Sequence, residues 1–457
     1  MYSHEIEALL RSRVIAIGDR VIIEKDGKKH AGLLMPKSGD EKTIVIKLDN
    51  GYNVGFDVEG AKITKDVSRE PKEMKEEGRY EMGKTDRNLL RVDFDPQKPK
   101  VALISTGGTI ISRVDYETGG VYAVENPKEL LHNIPELSGI VNLEMLSPMR
   151  IMSEDMDPNH WQHIAREAVK ELNAGKKGVI ITHGTDTLHY TAAALSFFIR
   201  NLGKPVLVVG AQRSSDRGSS DAGMNLVCAS HAALSDIAEV GVCMHGSMSD
   251  EYCHFIRGTK VRKMHATRRD AFQPVNELPI AKVFPDGKIE IINKNYKKRD
   301  DHKKAELDDR IDPNVAILKT YPGADPRVID FWVKNGVNGF IIEATGMGHV
   351  PTEVAKKPWT TVIKKYSEHI PFVITSQTIY GRVNPYVYTN LRKLFIEAKA
   401  IPGEDMLTET AYVKLMWVLG KTKSMEKIRE MVTTNYAGEI TTRTEINAFS
   451  VEEMVER

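Results

Sequence analysis

The sequence predicts an α/β protein in which two α/β domains follow a small all-β barrel domain. The pattern of apolar and polar residues along the 457-residue chain changes near Val101, and this change supports the division into domains. From Val101 onward, continuous apolar runs that end in small or polar residues alternate with amphipathic segments. This is the pattern of strands and helices that alternate along a chain. Upstream, short alternating segments are broken by turn signals, which is typical of an all-β module.

The N-terminal segment has the pattern of a small antiparallel barrel. Lys25-Asp26-Gly27 and Asp49-Asn50-Gly51 lie between apolar stretches, where residues that tolerate positive φ close tight hairpins. We expect an SH3-like interaction domain over residues 1–70, because a module of this size has too little room for an enclosed active site. A linker rich in charged residues and punctuated by prolines follows over residues 71–98.

The rest of the chain predicts a larger α/β domain with a parallel sheet and a smaller α/β domain. Fully apolar short runs are typical of strands buried on both faces of a parallel sheet. After Asp157-Pro158, a predicted N-cap with proline at the first position, apolar residues fall on one face of a helix. We place the domains at residues 99–293 and 313–425, with a charged linker at 294–312 and a C-terminal extension at 426–457. The apolar runs are 101–104, 179–181, 206–209, 315–318, 340–342 and 372–374.

Composition argues against several classes of protein. No apolar run approaches the roughly 18 residues of a membrane span. A net charge of +1 differs from the basic excess of a protein that binds nucleic acid by itself. Cys228, Cys243 and Cys253 lack metal-like spacing and do not predict a disulfide framework. Because the N-terminus also lacks a secretory pattern, we expect a cytoplasmic location.

Two loops that follow predicted strands carry the hydroxyl groups of a candidate site. Ligands of α/β sheets bind beyond the carboxyl ends of the strands. Ser105-Thr106-Gly107-Gly108-Thr109 follows one strand, and it could form a tight turn or offer backbone amides to a ligand. It contains neither of the usual nucleotide-binding glycine motifs. Thr182-His183-Gly184-Thr185-Asp186-Thr187 follows another strand, so both loops are expected at the same edge of the sheet.

A threonine hydroxyl needs a base before it becomes reactive. Thr185 has a carboxylate beside it in Asp186, although an aspartate at this position could simply cap the next helix. A desolvated lysine is the missing kind of base, and Lys263 is the predicted candidate. His183 and His189 have no accompanying ligand set, and we expect them to be structural.

The two loops resemble the signature segments of the type I/II L-asparaginases, the asparaginase/glutaminase family. The matching strings are STGGTI at 105–110 and ITHGTDTL at 181–188. The likeness continues through VVGAQRSSDRGSSDAGMNL at 208–226 and GEDMLTETAYVKL at 403–415. It implies two α/β domains, with the site at the carboxyl ends of the larger domain's strands and closed by the smaller domain of a second subunit.

The resemblance also implies catalytic roles. Thr109 matches the threonine that acts as the nucleophile, and Tyr122 matches the mobile-loop tyrosine that activates it. Thr185, Asp186 and Lys263 match a second group of hydroxyl, carboxylate and lysine, which positions and activates water. The implied reaction is hydrolysis of an amide through a threonine ester, without a metal ion.

Further positions are implied to bind the substrate. Ser153 and Glu154 fall where the family holds the α-carboxylate and α-amine of the substrate, and Glu154 replaces the glutamine that is common in bacterial enzymes. Gly108 and Gly184 are expected to lie against the substrate. The lysine is placed by local similarity, and Lys260 is the nearby alternative to Lys263.

The layout as a whole resembles the D-subunit family of archaeal glutamyl-tRNA(Gln) amidotransferases. That resemblance implies a glutaminase whose ammonia passes to the amidotransferase E subunit, which uses ATP and Mg²⁺ to convert Glu-tRNA(Gln) to Gln-tRNA(Gln). It also implies a heterotetramer, a D homodimer flanked by two E subunits, with tRNA bound mainly by the partner. No cofactor is expected in this chain. Two alternatives remain open, namely a stand-alone asparaginase/glutaminase and a catalytically silent scaffold.

Overall fold

The computed structural model describes residues 2–35, 42–48, 53–67, 95–107, 112–114, 121–123, 134, 136–213, 219–444 and 446–449. Its N-terminal part is a small β domain, as predicted. Five antiparallel strands pair in the order β4-β3-β2-β1-β5 beside one helix. These elements are α1 (His4–Ser12), β1 (Arg20–Lys25), β2 (Lys28–Met35), β3 (Thr43–Leu48), β4 (Asn53–Asp57) and β5 (Lys62–Lys65).

The first predicted hairpin is confirmed. Lys25 pairs with Lys28, and the turn between them has Asp26 at φ 50° and Gly27 at φ 72°, the left-handed region that such turns require. The predicted turn at 49–51 lies outside the described residues, although β3 and β4 pair on either side of it. Helix α1 was not predicted, and it buries Ile6 and Leu10 against the β sheet.

The larger α/β domain is built on an eight-stranded mixed sheet in the order β18-β17-β14-β13-β12-β10-β6-β9. The strands β9, β6, β10, β12 and β13 are parallel, which confirms the predicted parallel part. The parallel strands β9 and β13 and the antiparallel strands β14, β17 and β18 were not predicted. The bounds are β6 (Lys100–Ser105), β9 (Asn142–Leu146), β10 (Val179–Thr182), β12 (Val206–Val209), β13 (Val240–His245), β14 (Cys253–Arg257), β17 (Ala281–Val283) and β18 (Ile289–Ile291).

Helices cover this sheet, and short ladders extend from it. The predicted helix start at Asp157 is confirmed, since the Asp157 carboxylate accepts from the backbone amides of Asn159 and His160 and caps α3. The helices are α2 (Glu136–Ile140), α3 (Pro158–Asn173), α4 (Leu188–Phe198) and α5 (Ala222–Ala233). The ladders pair β7 (Ser112–Val114) with β8 (Val121–Ala123), β11 (Ile199–Arg200) with β19 (Glu306–Leu307), and β15 (Val261–Lys263) with β16 (Phe272–Pro274).

The second α/β domain has a parallel four-stranded sheet in the order β20-β21-β22-β23. Three of its strands contain the apolar runs that sequence analysis identified. The strands are β20 (Val315–Lys319), β21 (Gly339–Ala344), β22 (Phe372–Ser376) and β23 (Ile401–Pro402), and the helices are α6 (Arg327–Lys334), α7 (Trp359–Tyr366), α8 (Thr389–Arg392), α9 (Thr408–Leu419) and α10 (Met425–Thr433). Within the described ranges, the structure contains no helix of the length and apolarity needed to cross a bilayer.

One hydrophobic core extends through both α/β domains, and the second domain has a further core of its own. Helix α9 packs on α4, where the rings of Phe197 and Trp417 lie 5.7 Å apart between centroids. The charged segment at 294–312 lies along the larger domain, with ion pairs of 2.5 Å from Lys177 to Asp301 and 2.8 Å from Arg166 to Asp309. The domain limits proposed from sequence stay predictions.

The segment after α10 is packed where the two α/β domains meet, a region called the seam below. The Lys414 amine contacts the Glu439 carboxylate at 2.7 Å, and both side chains are fully buried. Lys414 also donates to the backbone carbonyls of Val432 and Thr434 at 2.7 and 2.6 Å. Removing one partner of a buried ion pair leaves the other charge uncompensated.

We therefore expect Glu439→Gln to lower the free energy of unfolding by about 3–5 kcal/mol, because the buried Lys414 charge would lose its counterion. Urea denaturation measures this change. The matched control is Glu368→Gln, which removes the exposed pair with Lys399 and should cost less than about 1 kcal/mol. Equal effects of the two substitutions would contradict the expectation.

Candidate active site

The two candidate loops begin side by side. Strands β6 and β10 are parallel neighbours, with Ser105 opposite Thr182. Beyond them, the Thr106 amide donates to the Thr182 carbonyl at 3.2 Å, and the Thr106 hydroxyl donates to the same oxygen at 2.8 Å. Both loops therefore leave the same edge of the sheet, as predicted from the order of strands and loops.

The first loop runs against the segment that follows β9. Gly107 has φ 106°, and a Cβ built on it would lie 2.6 Å from the Ile151 carbonyl oxygen. Only glycine fits this backbone conformation and this close approach. Gly108 and Thr109, the next predicted site residues, lie outside the described residues. Tyr122 is described by its backbone alone, which pairs with Arg113 in the ladder of β7 and β8.

The structure brings Thr185, Asp186 and Lys263 together. The Lys263 amine lies 2.9 Å from the Thr185 hydroxyl oxygen and 2.6 Å from a carboxylate oxygen of Asp186. The Lys263 side chain is 11% exposed, whereas that of Asp186 is 65% exposed. One amine therefore links a nearly buried hydroxyl to a carboxylate that is open to solvent.

Ser153 joins this group from the short 3₁₀ helix at Ser153–Asp155. The Asp186 amide donates to the Ser153 hydroxyl oxygen at 3.3 Å, and the Thr187 hydroxyl donates to the Ser153 carbonyl at 2.6 Å. A Cβ on Gly184 would lie 2.8 Å from the Ser153 hydroxyl oxygen. Ser153 and Gly184 thus pack directly on each other, whereas Glu154 is exposed.

The two candidate lysines have different surroundings. The Lys260 amine is fully buried and contacts the Asp405 carboxylate at 2.7 Å. Lys263 contacts Thr185 and Asp186 instead. Lys260 lies in the turn just before β15, whereas Lys263 is the last residue of that strand, so the two side chains leave the backbone at different places. The structure places Lys263 there.

The two histidines of this region are buried and uncharged. Burial lowers the pKa of His183 to about 4, and its ring lies 2.7 Å from the Gly184 carbonyl and 2.8 Å from the Thr191 hydroxyl. Burial, followed by the positive charges of Arg262 and Lys263, lowers the pKa of His189 to about 3. Across the described part of the chain, no group of three or more His, Cys, Asp or Glu side chains is arranged to hold a metal ion.

Two residues of the site were missed by sequence analysis. Gly210 follows the strand β12, and a Cβ on it would lie 2.9 Å from the Thr185 methyl carbon, so only glycine lets the chain approach Thr185 here. The Asp221 carboxylate accepts from the backbone amides of Gln212 and Arg213 at 3.0 and 2.9 Å. It therefore holds the start of the loop that follows β12. Both lie in the string at 208–226, whose likeness to the family had been noted without roles for single residues.

This arrangement suits proton transfer to or from a hydroxyl group. An amine within hydrogen-bond distance of a threonine hydroxyl can accept or return its proton, and a carboxylate on the same amine stabilises its charged form. The amide of Asp186 is already engaged by Ser153, so it does not point freely into the site.

Family models match most of this chain. Residues 100–297 match the family model described as asparaginase, N-terminal, residues 314–432 match the glutaminase/asparaginase C-terminal domain, and residues 15–65 match the GatD N-terminal domain. The chain is 48% identical over 452 residues to the D subunit of glutamyl-tRNA(Gln) amidotransferase from Pyrococcus abyssi, covering 97% of this chain and 99% of that protein. It is 43% identical over 450 residues to the protein of that name from Methanothermobacter thermautotrophicus, covering 98% and 99%.

Solved structures with the same fold include L-asparaginases. The thermostable L-asparaginase from Thermococcus kodakarensis is 32% identical with a TM-score of 0.66, and the match covers 75% of this chain and 100% of that one. L-asparaginase I from Vibrio cholerae is 29% identical with a TM-score of 0.65, covering 75% and 99%.

The contact between Gly184 and Ser153 gives a first prediction for this site. Gly184→Ala should displace Ser153 and lower the free energy of unfolding by about 1–3 kcal/mol, because the new methyl group has no space. A crystal structure and urea denaturation measure the two effects. Gly139→Ala is the control, since a Cβ there meets no atom within 4 Å; a loss of stability in both variants would argue against the packing explanation.

The neutral His189 gives a prediction on pH. Its pKa is lower in the folded than in the unfolded chain, where it is about 6.5. The associated stability is therefore fully present above pH 6.5 and is lost as the pH falls towards 3. His189→Gln should reduce the slope of stability against pH below 6.5 by about 1.4 kcal/mol per pH unit, measured by denaturation between about pH 4.5 and 6.5. The exposed His302 provides the control, and an unchanged slope in His189→Gln would contradict the prediction.

Proposed function

Because this chain belongs to the D-subunit family of glutamyl-tRNA(Gln) amidotransferases, whose members match it over nearly its whole length, we propose that it hydrolyses glutamine and supplies the ammonia to a tRNA-dependent amidotransferase. The observation that carries the chemical part of the proposal is the contact of the Lys263 amine with both Thr185 and Asp186. A hydroxyl and a carboxylate that both contact one amine can carry the proton transfers of amide hydrolysis without a metal.

The proposed reaction has two steps. The Thr109 oxygen, activated by Tyr122, attacks the side-chain amide carbon of glutamine, and backbone amides bind the oxyanion that forms. The carbon–nitrogen bond then breaks, and ammonia leaves with the proton taken from Thr109. Water attacks the resulting ester to release glutamate and restore the threonine hydroxyl. Thr185, Asp186 and Lys263 position the water and carry its proton.

Four residues are proposed to hold the substrate. Ser153 and Glu154 would bind the α-carboxylate and α-amine, and the small residues Gly108 and Gly184 would let the substrate approach the backbone. The position of Ser153 beside Asp186 supports this role for Ser153. The exposure of Glu154 leaves its carboxylate accessible to a cationic amine.

The proposed assembly contains two copies of this chain and two E subunits. The copies of this chain would pair through their asparaginase-like domains, and each E subunit would use ATP and Mg²⁺ to activate the glutamate of Glu-tRNA(Gln). The net charge of +1 is consistent with tRNA bound mainly by the partner. We place the complex in the cytoplasm, and we assign no cofactor to this chain.

A stand-alone asparaginase/glutaminase is the second candidate. It is supported by the 32% identity to an L-asparaginase that the chain covers completely. The two candidates differ in what the isolated chain should do. A stand-alone enzyme releases ammonia from asparagine by itself, whereas an amidotransferase component gains from restricting ammonia release to the assembled complex.

We predict that the full-length chain releases ammonia from glutamine mainly when the E subunit and Glu-tRNA(Gln) are present. Thr109→Ala should reduce this rate by at least about 10³-fold, because the nucleophile is lost. A coupled assay of ammonia, run with glutamine and with asparagine, measures both effects. Thr361→Ala is the matched control, since Thr361 is an exposed threonine on α7.

Each candidate can fail separately in this assay. Rapid turnover of asparagine by the isolated chain would overturn the amidotransferase role and favour the stand-alone enzyme. Unchanged ammonia release by the Thr109→Ala complex would overturn the threonine mechanism and favour a catalytically silent chain.

A further inference from the structure

Lys263 is the last residue of a segment, residues 257–263, that makes several polar contacts with the second α/β domain. We propose that this anchoring positions the Lys263 amine for the reaction, and that the ion pair between Arg262 and Glu409 is its main positioning contact. The inference rests on the proposed function, because it adds Glu409 of the second domain to the residues on which that reaction depends.

The ion pair lies immediately next to Lys263. The Arg262 guanidinium approaches the Glu409 carboxylate with contacts of 3.0 and 3.3 Å to its two oxygens. Successive side chains of a strand point to opposite sides, so Arg262 and Lys263 on β15 point apart. Holding Arg262 on the second domain therefore fixes the direction in which Lys263 leaves the strand.

Further contacts hold the same segment. The buried Lys260 amine binds the Asp405 carboxylate at 2.7 Å. The Thr410 hydroxyl donates to the Thr259 carbonyl at 2.9 Å. Asp405, Glu409 and Thr410 all belong to the second domain, at or just before the start of α9. The backbone that carries Lys263 is thus tied to one short stretch of that domain.

Glu409 is buried, so its carboxylate depends on an ion-pair partner to compensate its charge. The residue is 6% exposed, and burial raises the pKa of its carboxyl while the Arg262 charge lowers it. His189 lies 4.0 Å away, but its pKa of about 3 leaves it neutral. Arg262 therefore compensates the charge of Glu409. Substituting either residue leaves the other without its partner, in a place where water solvates it poorly.

A small displacement of Lys263 should reduce the rate strongly. The amine contacts its two partners at 2.9 and 2.6 Å, and proton transfer needs this hydrogen-bond distance. A misplacement of about 1 Å can cost on the order of 10²-fold in rate. Substrate binding by Ser153 and Gly184 does not involve β15, so the loss should fall on kcat rather than on KM.

The test compares Glu409→Gln, Arg262→Met and the double variant in the full-length chain assembled with the E subunit and Glu-tRNA(Gln). We expect each single variant to lower kcat for ammonia release about 10- to 100-fold, with KM within about twofold and a lower Tm. The double variant removes both charges, so it should regain much of the Tm while its kcat stays low. Arg262→Lys keeps the cation and should keep most of the kcat, which provides the test if a single variant fails to fold.

Asp325→Asn, which removes an exposed ion pair with Arg327 on the second domain, serves as the control and should leave kcat and KM unchanged. A double variant that regains kcat together with Tm would overturn the positioning role, because activity would then only follow stability. Normal turnover by Glu409→Gln in a complex whose wild type is active would also overturn the positioning role. The proposed function would be unaffected by that result. A wild-type complex that releases no ammonia would overturn both.

Discussion

The contact of the Lys263 amine with Thr185 and Asp186 connects the main parts of this structure. Thr185 and Asp186 lie on the loop after β10, at the carboxyl edge of the parallel strands. Lys263 comes from β15, which follows the antiparallel strand β14 in sequence. A proton can pass between these groups only while both elements keep their places. The proposed chemistry therefore depends on the packing that fixes the loop and the strand relative to each other.

Buried ions supply much of that fixed geometry. Lys260 with Asp405 and Lys414 with Glu439 are fully buried pairs in the seam between the domains. Arg257 lies between Glu239 and Glu277 at 2.8 and 2.9 Å. Such pairs recover little more than the cost of their own desolvation. Displacing one partner would leave an uncompensated charge in an apolar interior, so each pair favours one arrangement of its two side chains. These pairs therefore make the packing at the seam specific more than they stabilise it.

The sequence predicted those features that depend on local pattern. The apolar runs identified the parallel strands β6, β10, β12, β20, β21 and β22, and Asp157-Pro158 identified the start of α3, because buried strands and helix caps have local signatures. The antiparallel strands β14, β17 and β18 carry no continuous apolar run that would mark them as buried strands. The choice of Lys263 over Lys260 depends on how the turn before β15 directs the two side chains, and Glu409 reaches Arg262 from 147 residues away. Local pattern contains no information on either contact. The roles of Thr109 and Tyr122 stay predictions, because Thr109 lies outside the described residues and Tyr122 is described by its backbone alone.

The C-terminal segment extends the same seam beyond the asparaginase-like part. The match to the glutaminase/asparaginase C-terminal domain ends at residue 432, yet the next residues bind the segment that carries Lys263. The Thr259 hydroxyl donates to the Ala437 carbonyl at 3.0 Å, and the Thr441 amide donates to the Asp405 carboxylate at 3.0 Å. Residues outside the common fold thus contact the Thr259 side chain directly, and they contact Asp405, which is the ion-pair partner of Lys260. A segment beyond the common fold can in this way influence the position of Lys263 without contacting Thr185 or Asp186, because it binds Thr259 and Asp405 in the packing around the strand that carries Lys263.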